Sequence, residues 1–149
     1  MKELFESYRS EVEFFVVYIR EAHAIDSFSP LGGNGMPIVE DPVSLFERNA
    51  VARICMAELS LEPIPALVDG IDDRVGSDYA GHPDRLYLVG RDGRIAYHGF
   101  EGPMGFNPDE LEEAISKELA AAGTPLRSSK SSHPRPPVDP RAFESSPHR

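Results

Sequence analysis

Residues 14–23 read FFVVYIREAH, and the reading of this stretch decides the fold. Its first six residues are all aromatic or β-branched, so neither alternating face offers a polar side chain to water. Such a run suits a strand covered on both sides, in a sheet flanked by helices. Phe14 to Ile19 is therefore expected as a central strand. At its carboxyl end come Glu21 and His23, two apart and able to point the same way. Ligands in open α/β sheets gather beyond the carboxyl ends of the strands, which makes these two residues candidates for acid-base work. A surface acid and histidine without special role is the alternative that the pair alone would favour.

Upstream, KELFESYR (2–9) places Leu4, Phe5 and Tyr8 on one helical face, and no capping residue precedes it. Downstream, a loop over 29–41 is punctuated by Pro30, Gly32, Gly33, Gly35 and Pro37. Residues 42–59 form a helix by their three- and four-residue spacing, with Asp41 as N-cap and Leu45, Phe46, Ala50, Val51, Ile54, Cys55 and Leu59 turned inward. IPALV (64–68) is a second strand. DRLYLV (84–89) and RIAYHG (94–99) make a hairpin around Asp92-Gly93. A last helix over 108–122 has Asn107 as N-cap, Pro108 at its first position and Gly123 at its end. No internal repeat is visible.

From Thr124 onward Ser, Pro and Arg dominate, so 124–149 is expected as a disordered tail behind a folded body of 1–123. The chain carries a formal charge of -10. That acidity argues against nucleic acid or an anionic membrane as partner, since both would repel it. No apolar run approaches the roughly 20 residues of a membrane helix, and the N-terminus lacks a signal-peptide pattern, so the expectation is a cytoplasmic protein.

Cys55 is the single cysteine, which excludes an internal disulfide or a CxxC motif, and its helical position marks it as an inert core thiol. Glu21 and His23, with His82 and His98 remote in sequence, do not make a metal-ligand spacing. Asp69, Asp72, Asp73 and Asp78 lack the alternation of a calcium loop and read as a solvated turn and helix start. EGPMG (101–105) follows a hairpin strand without a Lys-Ser or Lys-Thr pair, so it is not a phosphate loop.

The order is helix, strand, helix, strand, hairpin, helix. A helix feeding a buried strand is the second half of a βαβ crossover. With a strand restored ahead of it, the order becomes βαβαββα, that of a thioredoxin-like α/β fold with a mixed sheet and a C-terminal hairpin and helix.

VVYIREAHAIDSF (16–28) resembles the signature of the iodothyronine deiodinases, and SLFERNAVA (44–52), RLYLVGRDGRIAYHGFEGPMGF (85–106) and NPDELEEAI (107–115) are similar to later segments of that family. The resemblance implies reductive deiodination by a selenocysteine or cysteine in the loop after the family's first strand. That strand and nucleophile are expected ahead of Met1, a selenocysteine UGA codon having been read as stop; the chain as written would then be inactive and prone to aggregate. By the same resemblance His23 anchors a phenolic oxygen or supplies a proton, and Glu21 orients it. Arg85 joins a proton or anion network, with an ordinary edge-strand arginine as its alternative. Pro83 lies near the cis-proline of thioredoxin-like proteins, one residue out of register. Phe28 stands where the family has a tryptophan that meets substrate, and Pro42-Val43 replaces a basic-polar pair, so another halogenated aromatic, a peroxide or a disulfide suits the site equally. The resemblance implies no cofactor beyond an external thiol reductant, and a homodimer is possible. Two other readings stay open: a non-catalytic thioredoxin-like binding module, and a peroxiredoxin-like thiol reductase.

Overall fold

A computed structural model describes residues 1–27, 30 and 38–122 of the protein. Phe28, most of the 29–41 loop, Gly123 and the 124–149 tail lie outside the described residues.

The element order is α1 (Lys2–Tyr8), β1 (Val16–Tyr18), α2 (Leu45–Glu58), β2 (Ala66–Val68), α3 (Arg74–Asp78), β3 (Tyr87–Val89), β4 (Ile95–His98) and α4 (Pro108–Ala122). This is the α/β architecture expected, and it fits the thioredoxin-like order. β1 runs parallel to β2, with Val17 opposite Leu67, while β3 and β4 form the antiparallel hairpin, with Leu88 opposite Tyr97. Among the described residues the two pairs are separate sheets: β1 bonds only to β2, and β3 only to β4. The hairpin turn uses Gly93 at φ 78, a left-handed conformation glycine adopts without steric cost.

One core unites the pairs. Phe14 and Ile64 from the parallel pair's side meet Leu86 and Leu88 from the hairpin, and Leu4 of α1 with Leu111 and Ile115 of α4 cover them. Phe5 meets Phe14 edge to face, with ring centroids 5.8 Å apart. Tyr8 ties the two helices together by donating to Glu112 Oε1 at 3.0 Å. α1 has no side-chain cap, as its sequence implies, whereas Asn107 Oδ1 accepts from the Asp109 and Glu110 amides and caps α4.

Three expectations are corrected. The strand is three residues long, and Phe14 is buried while Phe15 (56% exposed) and Val17 (41%) face outward with Leu67, so β1 is covered on one side only. Among the described residues β1 has one hydrogen-bonded neighbour, β2. α2 begins at Leu45 behind Ser44, not Asp41: the Ser44 hydroxyl accepts from the Glu47 amide, and the Glu47 carboxylate reaches back to the Val43 amide. Its buried face is Arg48, Ala52 and Met56, while Phe46, Ile54 and Leu59 are exposed. Apolar spacing misplaced the face because a charged residue, Arg48, belongs to it.

Candidate functional site

Beyond the carboxyl end of β1 lies a cleft of about 210 Å³. Ile19 and Arg20 leave β1 directly into it, Asp73 and Ser77 come from the start and body of α3, His82 precedes β3, and Glu101 follows β4. A larger groove of about 450 Å³ beside Phe5, Arg9 and Pro65 lies at the opposite end of β1. Strand direction favours the first as the place for chemistry, since parallel strands present their ligands at carboxyl ends.

The cleft wall is set from behind. Arg48, 2% exposed, donates through Nη1 to the Gly70 carbonyl and to Asp73 Oδ1 at 2.9 Å. The other oxygen, Asp73 Oδ2, lies 3.6 Å from Arg20 Nε. One carboxylate therefore joins a buried arginine on α2 to an exposed one at the mouth of the cleft. Asp73 sits at φ 52, in the left-handed region, and spends its side chain on these arginines rather than on capping α3.

Asp69, 4% exposed, performs the capping instead: Oδ1 accepts from the Gly70 and Val75 amides and Oδ2 from Gly76 at 2.8 Å. Burial pushes this carboxyl up, but the three backbone donors, with Arg48 beyond them, hold it below the usual carboxylate range. The solvated turn expected for Asp69 is thus a buried anion site filled by the chain's own carboxylate.

Glu21 and His23 follow Arg20 and stand beside the cleft rather than lining it. Glu21 is half-buried and interacts electrostatically with His23 and Asp41. Desolvation raises its carboxyl above the ordinary value; the Cys55 hydrogen bond and His23 oppose that rise, and Asp41 adds to it. The Cys55 Sγ donates to Glu21 Oε1 at 3.7 Å, and burial first, then the Glu21 charge, push the thiol up to about 12. Cys55 is therefore not the apolar core residue its spacing implies, nor a nucleophile: it is a half-buried thiol serving a carboxyl. The Ile25 amide donates to Val39 O and the Asp41 amide to Asp26 Oδ1, which closes the base of the loop beside this cluster.

Arg85 lies two residues before β3 and is half-buried, and its Nε is buried without a hydrogen-bond partner among the described residues. It is not among the residues lining the cleft, and Phe28 lies outside the described residues. The His82-Pro83 bond is cis. Gly102-Pro103 is a second cis bond, unforeseen. A Cβ at Gly102 would come within 2.0 Å of the Asp84 carboxylate, so a larger residue there requires Asp84 to move. No group of three His, Cys, Asp or Glu residues able to hold a metal occurs among the described residues.

The sequence pattern of the iodothyronine deiodinases matches residues 1–119, which is most of the chain. The chain belongs to the iodothyronine deiodinase family. It is 32% identical over 115 residues to the type I iodothyronine deiodinase of Xenopus laevis, covering 77% of this chain and 43% of that protein. It is 31% identical over 114 residues to the thyroxine 5-deiodinase of Sparus aurata, covering 74% and 39%. The type II iodothyronine deiodinase of Petromyzon marinus matches at 28% over 126 residues, 80% of this chain and 40% of that protein. The chain spans less than half the length of these relatives. No helix among the described residues is long and apolar enough to cross a membrane.

Sequence reasoning missed Arg20, Arg48, Asp73, His82 and Glu101. The signal for Arg48 lay within SLFERNAVA, a family-like segment whose arginine sits on the apolar face of its helix.

Proposed function

We propose that this chain is the acid-base and substrate-holding part of a reductive dehalogenase of the deiodinase kind. The observation carrying the reading is the half-buried Glu21 carboxyl, raised by desolvation and set with His23 immediately after the cleft residue Arg20. A desolvated carboxyl coupled to a histidine suits a proton relay to a halogenated ring bound beyond β1.

In the proposed reaction a selenolate or thiolate takes iodine from the aryl carbon, the carbon–iodine bond breaks, and the carbon takes a proton passed through His23. An external thiol reductant then restores the nucleophile: two thiols become a disulfide, iodide leaves, and of the two protons freed one returns to His23 and the other goes to solvent. The nucleophile is not Cys55, whose thiol at about 12 stays protonated. It comes from outside these 149 residues. A strand seated between β1 and β3, each of which has one strand partner among the described residues, would carry it to the cleft, and Arg85, just ahead of β3, would stand beside that strand.

The test is to translate the DNA upstream of the Met1 codon in frame, reading UGA as an amino acid, and to assay the extended chain for thiol-dependent iodide release. A strand followed by Cys or UGA, and iodide release lost in His23→Ala, supports the reading. A stop or unrelated sequence there overturns it in favour of a non-catalytic binding module, which one observation favours: Phe15, Val17 and Leu67 are all exposed on a single face of β1 and β2.

A further inference from the structure

We infer that the groove at the amino end of β1 seats a polyproline segment of the chain's own basic tail, residues 134–137 (PRPP), with Arg135 pairing with Glu13. The groove lies at the opposite end of β1 from the cleft, so the inference does not rest on the proposed reaction.

The lining suits proline rings. Phe5 of α1 joins Val12 and Phe14 from the connection into β1 and Pro63 and Pro65 from the connection into β2. The Val16 amide donates to the Pro65 carbonyl at 2.9 Å, which sets the two connections side by side. Aromatic and proline faces of this kind hold a polyproline helix, which is already extended and costs little entropy to order. Pro134, Pro136 and Pro137 restrict three of the segment's four φ angles to that conformation.

Charge selects this segment. Residues 124–149 hold five Lys or Arg against two acids, whereas the whole chain is at -10, so the tail's charge opposes that of the body it leaves. On the groove's rim Arg9 is drawn to Glu6 at 3.5 Å, and Glu13 has no cation beside it among the described residues. Arg135, set between prolines, supplies one.

The tail also departs from nearby. Tyr8 ends α1 beside the groove residues Arg9 and Ser10, and its hydroxyl lies 3.0 Å from Glu112 and 3.3 Å from Ser116 of α4. Ala122, where α4 ends, is six residues past Ser116, about 9 Å along the helix. Residues 123–133 reach up to about 35 Å when extended, and so short a tether holds the prolines at roughly millimolar effective concentration. Contacts of only millimolar strength then suffice to fill the groove.

The test is amide NMR of the full chain beside a variant carrying Pro134→Gly, Pro136→Gly and Pro137→Gly, which leaves the sequence of the body intact. The expected result is that these changes shift the amides of Phe5, Val12 and Glu13 but not those of Ser77 and His82 in the cleft. A synthetic peptide of residues 133–141 binds the glycine variant about twofold or more tighter than the parent, whose own segment competes for the groove. Glu13→Lys, at an exposed position, moves the groove amides as the glycine changes do, and Arg135→Glu added to it moves them back. Groove amides indifferent to the glycine changes, or a peptide that binds neither chain or both equally, overturn the inference. Shifts that grow with protein concentration overturn it too, since they assign the groove to the tail of a second copy.

Discussion

Cys55 Sγ lies 3.7 Å from Glu21 Oε1, joining the last turns of α2 to the chain just beyond β1. The contact has a definite protonation sense. A thiol donates to the carboxyl; a thiolate would face it as a second negative charge in a partly desolvated place. The only thiol in the chain is thereby committed to holding a carboxyl rather than to attacking a substrate.

Alkylation measures this directly. With its thiol at about 12, Cys55 of the folded protein reacts with iodoacetamide at mildly alkaline pH at least about tenfold more slowly than in urea. Glu21→Gln removes the opposing charge and speeds the folded reaction. Equal folded and unfolded rates would show that the contact does not form. The sign for stability follows from linkage: the folded thiol holds its proton more tightly than the unfolded one. The contribution is complete below the ordinary value of 9.0 and is lost as pH rises toward about 12.

Asp69 carries the opposite pH signature. Its depressed carboxyl contributes stability that is fully present above the ordinary value of 3.8 and lost as pH falls through the folded value. Asp69→Asn leaves a backbone donor of the α3 start unmet and costs about 1–3 kcal/mol at neutral pH. The same substitution flattens the acid limb of the stability profile, read by urea denaturation across pH. An acid limb unchanged in the variant would assign that limb to other carboxylates.

The Arg48–Asp73 pair couples α2 to the cleft, and its two members are not equivalent. Arg48→Met strands Asp73 with only the exposed Arg20 and removes the donor to the Gly70 carbonyl, at a cost of about 3–5 kcal/mol. Asp73→Asn leaves a buried guanidinium partly satisfied by Gly70 and costs less. The double substitution falls short of the sum by about 1–3 kcal/mol. Additive losses would mean that the two side chains act on the fold independently.

Much of the fold was legible because its boundaries are written in local chemistry. Asn107-Pro108 starts α4 where both residues say it should, and Asp92-Gly93 turns the hairpin where a positive φ is tolerated. The covering of β1 was not legible, because a run apolar on both faces reports what the strand can bury and not what lies against it. The cleft was hidden for another reason. Arg20, Asp73, His82 and Glu101 come from four separate connections, and only the tertiary fold gathers them. Glu21 and His23 were visible because they stand two apart at the end of one strand. Their partner Cys55 was not, since helical spacing cannot tell a thiol in the core from one facing a carboxyl.

The phase of α2 gives the last prediction. Hydrophobic spacing puts Phe46 inward, but Arg48, Ala52 and Met56 form the buried stripe at four-residue intervals, and Phe46 is 84% exposed. The arginine defines that stripe because its two acceptors, Gly70 and Asp73, lie on the sheet side of the helix. If so, Met56→Ala opens a cavity and costs about 2–5 kcal/mol. Phe46→Ser, at a site with little to lose, stays within about 0.5 kcal/mol. Chemical denaturation of both variants decides between the two phases. A reversed order would turn the helix by roughly half a turn, remove Arg48 from its acceptors, and with it the support for Asp73 and Arg20 at the cleft.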